Sequence, residues 1–266
     1  MSRSRQAPRR TVEVLAHDYP SGHRIKPHHH DRHQLVYARS GVMTVQTPDG
    51  TWVVPPHRAV WIPRDVTHAI EISGPVAMRT LYLGGPAPRA LPDGCRLLGV
   101  SPLLRELILH AVERGGLDRR APAEARLLAV ILDQLEVLPA ATSALAHPRD
   151  PRARRLAERL LREPGDARPL AEVVAGVGAS PRTIERLFRD ETGLSVGRWR
   201  QQLRLTHALR LLALGEPVTS VALEVGYDSL SAFVSAFRRT FGSTPGRMFR
   251  AARGEAGRGR RVEVLD

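Results

Sequence analysis

Two sets of side chains in this 266-residue sequence have types and spacings that could do chemistry. One set, rich in arginine and serine, lies in the C-terminal third, and the other is a group of histidines that begins at His28. An arginine near the start of a helix can donate two hydrogen bonds to a guanine edge, and a glutamate can accept one from cytosine. Alternating histidines on a strand place both imidazoles on one face, where they can hold a metal. The first set therefore indicates nucleic-acid recognition, and the second indicates a metal or small-ligand site.

The arginine- and serine-rich set belongs to a pattern that occurs twice, with the copies offset by 48–49 residues. Each copy predicts a short helix, a glycine turn and a second helix. Gly178 and Gly226 fall where the chain must turn sharply, a position suited to a residue without Cβ. Ser180 and Ser229 can cap the second helices. The pattern therefore predicts two helix-turn-helix units, which cover residues 170–188 and 218–237.

The outward faces of the two second helices decide between DNA binding and an ordinary helical bundle. Each helix has an apolar stripe at positions i, i+3 and i+4, beginning at Ile184 and at Phe233, which is committed to a core. One such unit could equally belong to a bundle, but two copies with polar and basic outer faces favour duplex DNA. The predicted DNA-binding residues are Arg182, Glu185, Arg186 and Arg189 in the first unit, and Ser231, Ser235, Arg238 and Arg239 in the second.

The segment between the two units and the distribution of charge support the same interpretation. Residues 196–215 predict a long helix, apolar enough to pack against both units. A helix of about 20 residues spans roughly 30 Å, close to the spacing of successive major-groove segments on one face of DNA. Residues 149–266 carry a net charge of +8, whereas residues 11–148 carry only +1. Because each neutralised phosphate releases counterions, this distribution favours a polyanion, and Arg189, Arg238 and Arg239 are placed for phosphates.

Short motifs in and around the predicted linker helix carry a resemblance to a known family. They are Glu191-Thr192-Gly193-Leu194-Ser195, Leu203-Arg204-Leu205, Val225-Gly226-Tyr227, Phe237-Arg238-Arg239 and Thr244-Pro245. Over roughly residues 150–250 the sequence resembles the AraC/XylS family of transcription regulators. The resemblance implies two helix-turn-helix units that read successive major-groove segments. By position, it implies base contacts from Arg182, Glu185, Arg186, Ser231 and Ser235.

The region before this predicts short strands followed by two helices. Residues 34–83 contain evenly spaced apolar runs, separated by turn signals such as those at Ser40-Gly41 and within residues 47–51. This pattern is typical of a barrel or jelly roll. Two helices are expected next, one beginning after Ser101 and one over residues 123–138. The expected fold class is α+β: a cupin-like β-barrel (jelly roll) with two following helices, then an all-α domain with two helix-turn-helix units joined by a long linker helix.

The histidines occupy positions that resemble the two cupin motifs. His28, His30 and Gln34 have the spacing of the first motif, with Gln34 where glutamate is usual. Residues from Pro63 to His68 resemble the second motif. In cupins these positions face into a small barrel and can hold a divalent metal with three histidines and one carboxylate.

Two uses of this site stay open at the level of sequence. A divalent metal could be held by His28, His30, Gln34 and His68, although a glutamine is a weaker oxygen donor than a carboxylate. Alternatively, the site is an effector pocket, since a small barrel can hold one small molecule. No cofactor is required in that case. The residues expected to line the effector pocket are His28, His30, Gln34, His68, Tyr37 and Trp61.

The expected organisation follows from these regions. The single cysteine, Cys95, excludes an internal disulfide and fits a cytoplasmic setting. No apolar run approaches the roughly 20 residues that cross a bilayer, so no membrane partner is expected. The expected divisions are a disordered basic tail (1–10), a cupin-like sensor domain (11–98), a helical dimerisation or cover segment (99–138), a linker (139–151), the double helix-turn-helix domain (152–250) and a disordered tail (251–266).

The sequence therefore predicts a transcriptional regulator that binds specific DNA sequences and responds to an effector through its N-terminal domain. Its expected partners are double-stranded DNA, a small-molecule effector, a second copy of the chain and, if it activates, RNA polymerase. Both activation and repression are compatible with the sequence. The rival hypothesis is a metal-dependent cupin enzyme with an attached DNA-binding module, but we do not expect an enzyme because a fold resemblance does not carry chemistry.

Overall fold

The structure is a computed structural model that describes residues 11–85, 91, 93–137 and 145–249. The two predicted disordered tails, residues 1–10 and 251–266, lie outside the described residues. The strands are β1 (Val12–Tyr19), β2 (Arg24–His28), β3 (His33–Thr47), β4 (Gly50–Val54), β5 (Arg58–Ile62), β6 (His68–Leu83), β7 (Arg96–Gly99), β8 (Glu136–Val137) and β9 (Leu145–Ala146). The helices are α1 (Pro102–Glu113), α2 (Pro122–Asp133), α3 (Pro151–Arg162), α4 (Leu170–Val173), α5 (Pro181–Thr192), α6 (Val196–Leu214), α7 (Val218–Glu224) and α8 (Leu230–Phe241).

The N-terminal part is an antiparallel sheet centred on two long strands, β3 and β6, which pair with each other. The turn predicted at Ser40-Gly41 is wrong, because β3 continues through it with shifts of register. Gly41 has a φ of +78°, and a Cβ there would lie 2.3 Å from the carbonyl oxygen of Pro75. The glycine therefore permits a bulge where two backbones approach closely, and the strand bends instead of ending.

Alternate residues of the sheet face two different cores. Val36 and Ala38 face an inner core that they share with side chains of β4, β5 and β6. Leu35 and Tyr37 face an outer core, where the sheet packs against α1 and α2. Because successive side chains of a strand point to opposite faces, even positions face the inner core and odd positions the outer core in the first part of β3. After the shifts of register this order is reversed, and Met43 faces the inner core. This division decides which predicted site residues can meet.

The segment that follows the sheet differs from the sequence prediction in two places. Helix α2 ends at Asp133 rather than at residue 138, and the chain then pairs with β7 as β8. Residues 145–146, predicted as linker, instead form β9 against β4. In both places the backbone N–H and C=O groups of the segment form hydrogen bonds with a neighbouring strand. The local sequence pattern did not indicate these partners.

The C-terminal part is helical and is organised around α6. Trp199 and Leu203, in the first half of α6, join the core of the first helix-turn-helix unit. Leu205 and Leu209, further along the helix, join the core of the second unit. The prediction that one long helix packs against both units is therefore confirmed. None of the helices in the described residues combines the length and apolarity that a membrane crossing requires.

Helix α6 also packs on the sheet, which the sequence did not predict. Val42 and Val53 from the sheet belong to the same apolar core as Leu209. Arg210 Nη2 lies 3.4 Å from Glu71 Oε1, so an ion pair flanks this core. The helix that holds both helix-turn-helix units is therefore in direct contact with the N-terminal sheet.

Candidate nucleic-acid interface and histidine cluster

The turn of the first unit is built by Gly178 and held by arginines of α3. Gly178 has a φ of +82°, as its predicted role in the turn requires. Arg155 Nη2 donates to the carbonyl oxygen of Val177 at 2.7 Å, and Arg159 Nη1 donates to that of Val173 at 2.8 Å. Ser180 Oγ then accepts from the backbone N–H of Thr183, so the predicted cap of α5 is confirmed.

The turn of the second unit is packed against the loop between α3 and α4. Gly226 has a φ of +78°, and a Cβ there would lie 2.7 Å from the carbonyl oxygen of Gly165. A Cβ on Gly165 would in turn lie 2.2 Å from the carbonyl oxygen of Glu224. Ser229 Oγ accepts from the N–H of Ala232 and caps α8, as predicted. The second unit therefore touches, backbone to backbone, the loop that leads into the first unit.

Two arginines of α6 tie these loops together. Arg204 donates through Nη1 to the carbonyl oxygen of Gly226 at 3.0 Å and through Nη2 to that of Asp166 at 2.6 Å. Arg200 Nη1 donates to the carbonyl oxygen of Arg168 at 3.0 Å. Hydrogen bonds with a charged donor are stronger than neutral ones, so these contacts hold the two units in one relative position.

The side chain of Asp166 is part of the same joint. Its carboxylate accepts from Arg168, with Nη2 to Oδ2 at 2.8 Å. The hydrogen bonds from Arg168 lower the pKa of Asp166 to about 2. This carboxylate is therefore charged in the folded protein down to strongly acidic pH.

The outward faces of α5 and α8 carry most of the predicted DNA-binding residues in exposed positions. Arg186 Nη1 lies 3.2 Å from Asp190 Oδ2, one turn further along α5. Both side chains are more than half exposed, so this ion pair is weak and a phosphate or a base can replace it. The other exposed residues are Arg182, Arg189, Ser231, Ser235, Arg238 and Arg239.

Glu185 requires a correction, because its carboxylate points back into the unit. Glu185 Oε2 accepts from the backbone N–H of Val196 at 3.0 Å. Val196 is the first residue of α6, whose free N–H groups attract a negative charge. Glu185 is half-buried and positions the linker helix. The helical pattern of α5 predicted an outward-facing Glu185. The contact with Val196 joins two helices, so the pattern of one helix could not reveal it.

The histidine set forms a cluster, which we call the histidine cluster: His28, His30 and His68. His28 ends β2 and pairs across the sheet with His68, the first residue of β6. His30 follows in the loop to β3. Ring centroids are 4.3 Å apart for His28 and His68, and 5.4 Å apart for His30 and His68. One ring nitrogen from each residue lies within 4.8 Å of the others, so these three residues can share one ligand.

The hydrogen bonds of the cluster define the protonation of two rings. His28 Nδ1 lies 2.8 Å from the carbonyl oxygen of Lys26, and His68 Nδ1 lies 3.0 Å from that of Val66. A carbonyl can only accept, so Nδ1 carries a proton in both rings. Burial lowers the pKa of His68 to about 4, and burial followed by the nearby His28 lowers the pKa of His30. The rings of His30 and His68 are therefore neutral at pH 7.

Gln34 lies beside the cluster, together with a tyrosine that the sequence did not indicate. Gln34 is buried, and its Nε2 donates to the hydroxyl of Tyr82 at 3.3 Å. The ring of Tyr82 meets that of His30 edge to face at 4.9 Å. Burial raises the pKa of Tyr82, so the phenol stays protonated. Tyr82 joins the site because it pairs with Gln34 across β3 and β6, a register that no local motif reveals.

The comparisons with known proteins agree with both halves of this description. Residues 11–163 match the AraC-like ligand binding domain, and residues 173–251 match a helix-turn-helix domain. The chain is 36% identical over 220 residues to the HTH-type transcriptional regulator NimR of Escherichia coli, covering 83% of this chain and 80% of that protein. The chain belongs to the AraC family.

This AraC-family chain is also similar to proteins of lower identity or of known structure. It is 29% identical over 216 residues to the HTH-type transcriptional regulator RipA of Corynebacterium glutamicum, which covers 79% of this chain and 60% of RipA. Among solved structures, ToxT of Vibrio cholerae with a bound unsaturated fatty acid has a TM-score of 0.38 and 9% identity, covering 92% of this chain and 96% of that one. The DNA-binding domain of AdpA in complex with a target DNA has a TM-score of 0.38 and 30% identity, covering 42% of this chain and all of that one.

Membership of the AraC family establishes the general function. The chain is a DNA-binding transcriptional regulator with an N-terminal ligand-binding domain. The predicted fold class, an N-terminal antiparallel sheet domain followed by a helical domain with two helix-turn-helix units, is confirmed. The family is one of transcriptional regulators rather than of enzymes.

The structure divides the effector pocket that the sequence predicted. Tyr37 and Trp61 belong to the outer core beneath α1 and α2, with side chains such as Leu104. Gln34 and the histidine cluster lie together elsewhere on the sheet, and odd and even positions of β3 point to opposite faces. Trp61 stacks on the ring of His33 at 5.1 Å. The predicted pocket therefore loses Tyr37 and Trp61, and it gains Tyr82.

Proposed function

We propose that the chain recognises specific duplex sites through the exposed faces of α5 and α8. Base contacts come from Arg182 and Arg186 on α5 and from Ser231 and Ser235 on α8. The phosphate contacts come from Arg189, Arg238 and Arg239. The observation that carries this proposal is the joint made by Arg204 and the backbone contact of Gly165 with Gly226, because two helices held in one relative position can meet one duplex together.

The experiment that tests this proposal separates base contacts from phosphate contacts. The full chain selects its site from random duplexes, and affinities are then measured at several salt concentrations. Arg239→Ala is expected to weaken binding to every DNA sequence alike. It should also reduce by about 0.9 the slope of the logarithm of the binding constant against the logarithm of the salt concentration. Arg182→Ala is expected to cost about 1–3 kcal/mol on the selected site and to relax preference at one base pair.

A matched control comes from the N-terminal domain. Arg126→Ala removes an exposed arginine of α2, and it is expected to leave both the salt slope and the base preference unchanged. If Arg182→Ala weakens all sequences equally, Arg182 contacts only phosphate. If Arg182→Ala behaves like Arg126→Ala, the outer face of α5 is not the reading surface.

We also propose that a small molecule bound by the N-terminal domain changes DNA binding through α6. The support is the packing of α6 on the sheet, with Val42 and Val53 against Leu209 and the ion pair of Glu71 with Arg210. A ligand can shift DNA affinity only if it favours one arrangement of this contact. Arg210→Glu places like charges together and is expected to change the affinity for the selected site. Arg210→Gln is the control, and equal affinities for the two variants would contradict the coupling.

Two further partners are proposed, a second copy of the chain and RNA polymerase. We propose a homodimer in the cytoplasm, with the exposed side chains of Leu103 on α1 and Val130 on α2 in the interface. Sedimentation of the full chain should then give a dimer that the double change Leu103→Glu and Val130→Glu converts to a monomer. Leu223→Glu, at a still more exposed leucine on α7, is the control and should stay dimeric. Contact with RNA polymerase is proposed only for promoters that the chain activates.

A further inference from the structure

One arginine of the sheet is half-buried and has no acidic partner among the described residues. Arg58 begins β5, and its Nη1 donates to the carbonyl oxygen of His57 at 3.4 Å. A guanidinium has five N–H groups and stays charged in proteins, so most of its donors remain to be used. Burial lowers the pKa of Arg58, and no charged group among the described residues raises it. Because a partly buried charge without a counter-ion is unfavourable, Arg58 indicates an anion that binds from outside the chain.

The side chain of Arg58 lines a cleft between the sheet and the end of the second helix-turn-helix unit. We call it the arginine cleft: residues 55–58 form its sheet side, and residues 241–243, Arg247 and Met248 form the other side. Arg247 is exposed and makes no ion pair within the described part of the chain. None of the described residues that line the cleft is an aspartate or a glutamate. Two guanidinium groups therefore give the cleft a positive charge that no acidic side chain of its lining balances.

The remaining walls of the arginine cleft are largely apolar. Phe241 and Met248 line it, and both pack in the core that Val42 and Val53 of the sheet share with the second unit. Pro55 closes the sheet side. The cleft has a volume of about 480 Å³, within the range of roughly 300–1,000 Å³ that is typical of small-molecule sites. Apolar walls with a few charged groups suit a ligand that has an acidic head and an apolar body.

We propose that the arginine cleft binds a small organic carboxylate, with its acidic head between Arg58 and Arg247 and its apolar body against Phe241 and Met248. A guanidinium can donate two parallel hydrogen bonds to one carboxylate, which gives the contact both strength and direction. The competing occupant is a phosphate of bound DNA. A duplex approaches from outside and reaches the exposed Arg247 more readily than the half-buried Arg58, and its phosphates have no apolar body to place on Phe241.

The arginine cleft is separate from the histidine cluster and joins the two halves of the molecule. It shares no residue with His28, His30 or His68. Arg58 belongs to the sheet, whereas Arg247 follows α8, so an anion held by both favours the arrangement in which the sheet contacts the second unit. This binding site goes beyond the proposed function and does not require that DNA be bound.

The test uses the full chain and two probes of nearly equal shape, para-fluorobenzoate and para-fluorobenzamide, each followed by fluorine NMR. The benzoate is expected to bind at least about 10-fold more tightly than the amide, because only the benzoate offers a charged acceptor. Arg58→Gln is expected to weaken the benzoate by at least about 10-fold and to leave the amide unchanged. Arg247→Gln should weaken it less, since Arg247 is exposed. The benzoate should also raise the temperature of unfolding of the parent chain more than that of Arg58→Gln.

A matched control and a second measurement complete the design. Arg39→Gln removes another half-buried arginine of the sheet, on β3, and should bind the benzoate like the parent chain. Binding of the selected DNA site by Arg58→Gln shows that this variant is folded. The proposal is overturned if the parent chain binds the two probes equally or binds neither. It is also overturned if Arg58→Gln binds the benzoate like the parent, or if its only effect is a smaller salt dependence of DNA binding, which would identify a phosphate contact. DNA recognition by α5 and α8 is measured separately and does not depend on these outcomes.

Discussion

Gly74, at the place where β6 meets α6, offers the sharpest test of the contact between the two halves of the molecule. It has a φ of +69°, and a Cβ at this position would lie 2.2 Å from the carbonyl oxygen of Ala213. Ala213 lies in the last turn of α6, so the obstacle is backbone and not a flexible side chain. Gly74→Ala therefore requires either the strand or the helix to move.

The expected cost has two parts. The left-handed conformation costs an alanine about 1–2 kcal/mol. Overpacking against Ala213 adds typically about 1–3 kcal/mol. Gly115→Ala is the matched control, because Gly115 has the same φ of +69° and no heavy atom among the described residues within 4 Å of a Cβ. Gly115→Ala should cost only the first part, so the difference between the two variants measures the contact itself.

The assay is denaturant unfolding of the full chain and of both variants, with DNA affinity measured in parallel. Gly74→Ala is expected to lower the free energy of unfolding by about 1–3 kcal/mol more than Gly115→Ala. It is also expected to change affinity for the selected site, because α6 holds both helix-turn-helix units, whereas Gly115→Ala should not. Equal unfolding free energies and equal affinities for the two variants would refute the close packing of β6 on α6.

Two further predictions concern residues whose roles the structure defines. Glu185→Ala is expected to lower the free energy of unfolding by about 0.5–2 kcal/mol, because a free N–H at the start of α6 loses its acceptor, and to leave base preference unchanged. Selection of sites by the variant checks this, and a change at a single base pair would restore Glu185 as a DNA contact. Asp166 has a folded pKa of about 2 against an ordinary 3.8, so its contribution to stability is present above pH 3.8 and is lost as the pH falls through 2. Asp166→Asn should therefore be less stable than the parent chain at pH 7, and its free energy of unfolding should vary less with pH between 3.8 and 2. The same dependence of acid unfolding on pH in both proteins would show that the bond to Arg168 contributes nothing to stability.

The sequence correctly predicted the features that depend only on residues close together in the chain. Gly178 and Gly226 supply the positive φ of their turns, and Ser180 and Ser229 cap helices within three residues of themselves. Such signals depend on local dihedral preferences and on hydrogen bonds within one turn. The same holds for the apolar stripes of α5, α6 and α8. For this reason the double unit was predictable before any fold was known.

The histidine cluster was predictable only in part. His28 and His30 are neighbours in sequence, and resemblance to a known motif added His68. Tyr82 enters the site, and Tyr37 leaves it, through the register of β3 against β6. A shift of register by one residue moves a side chain to the other face of the sheet, so local sequence does not determine which residues meet.

The sequence by itself determined the helices of the two helix-turn-helix units, the caps of α5 and α8, the glycine turns and the basic surface, because each of these follows from residues a few positions apart. Tertiary structure alone decided that Glu185 faces α6, that β9 forms from the predicted linker and that α6 packs on the sheet. These contacts join residues far apart in the chain. Their formation depends on how complete elements pack, and the free energy of that packing is not encoded in any one segment.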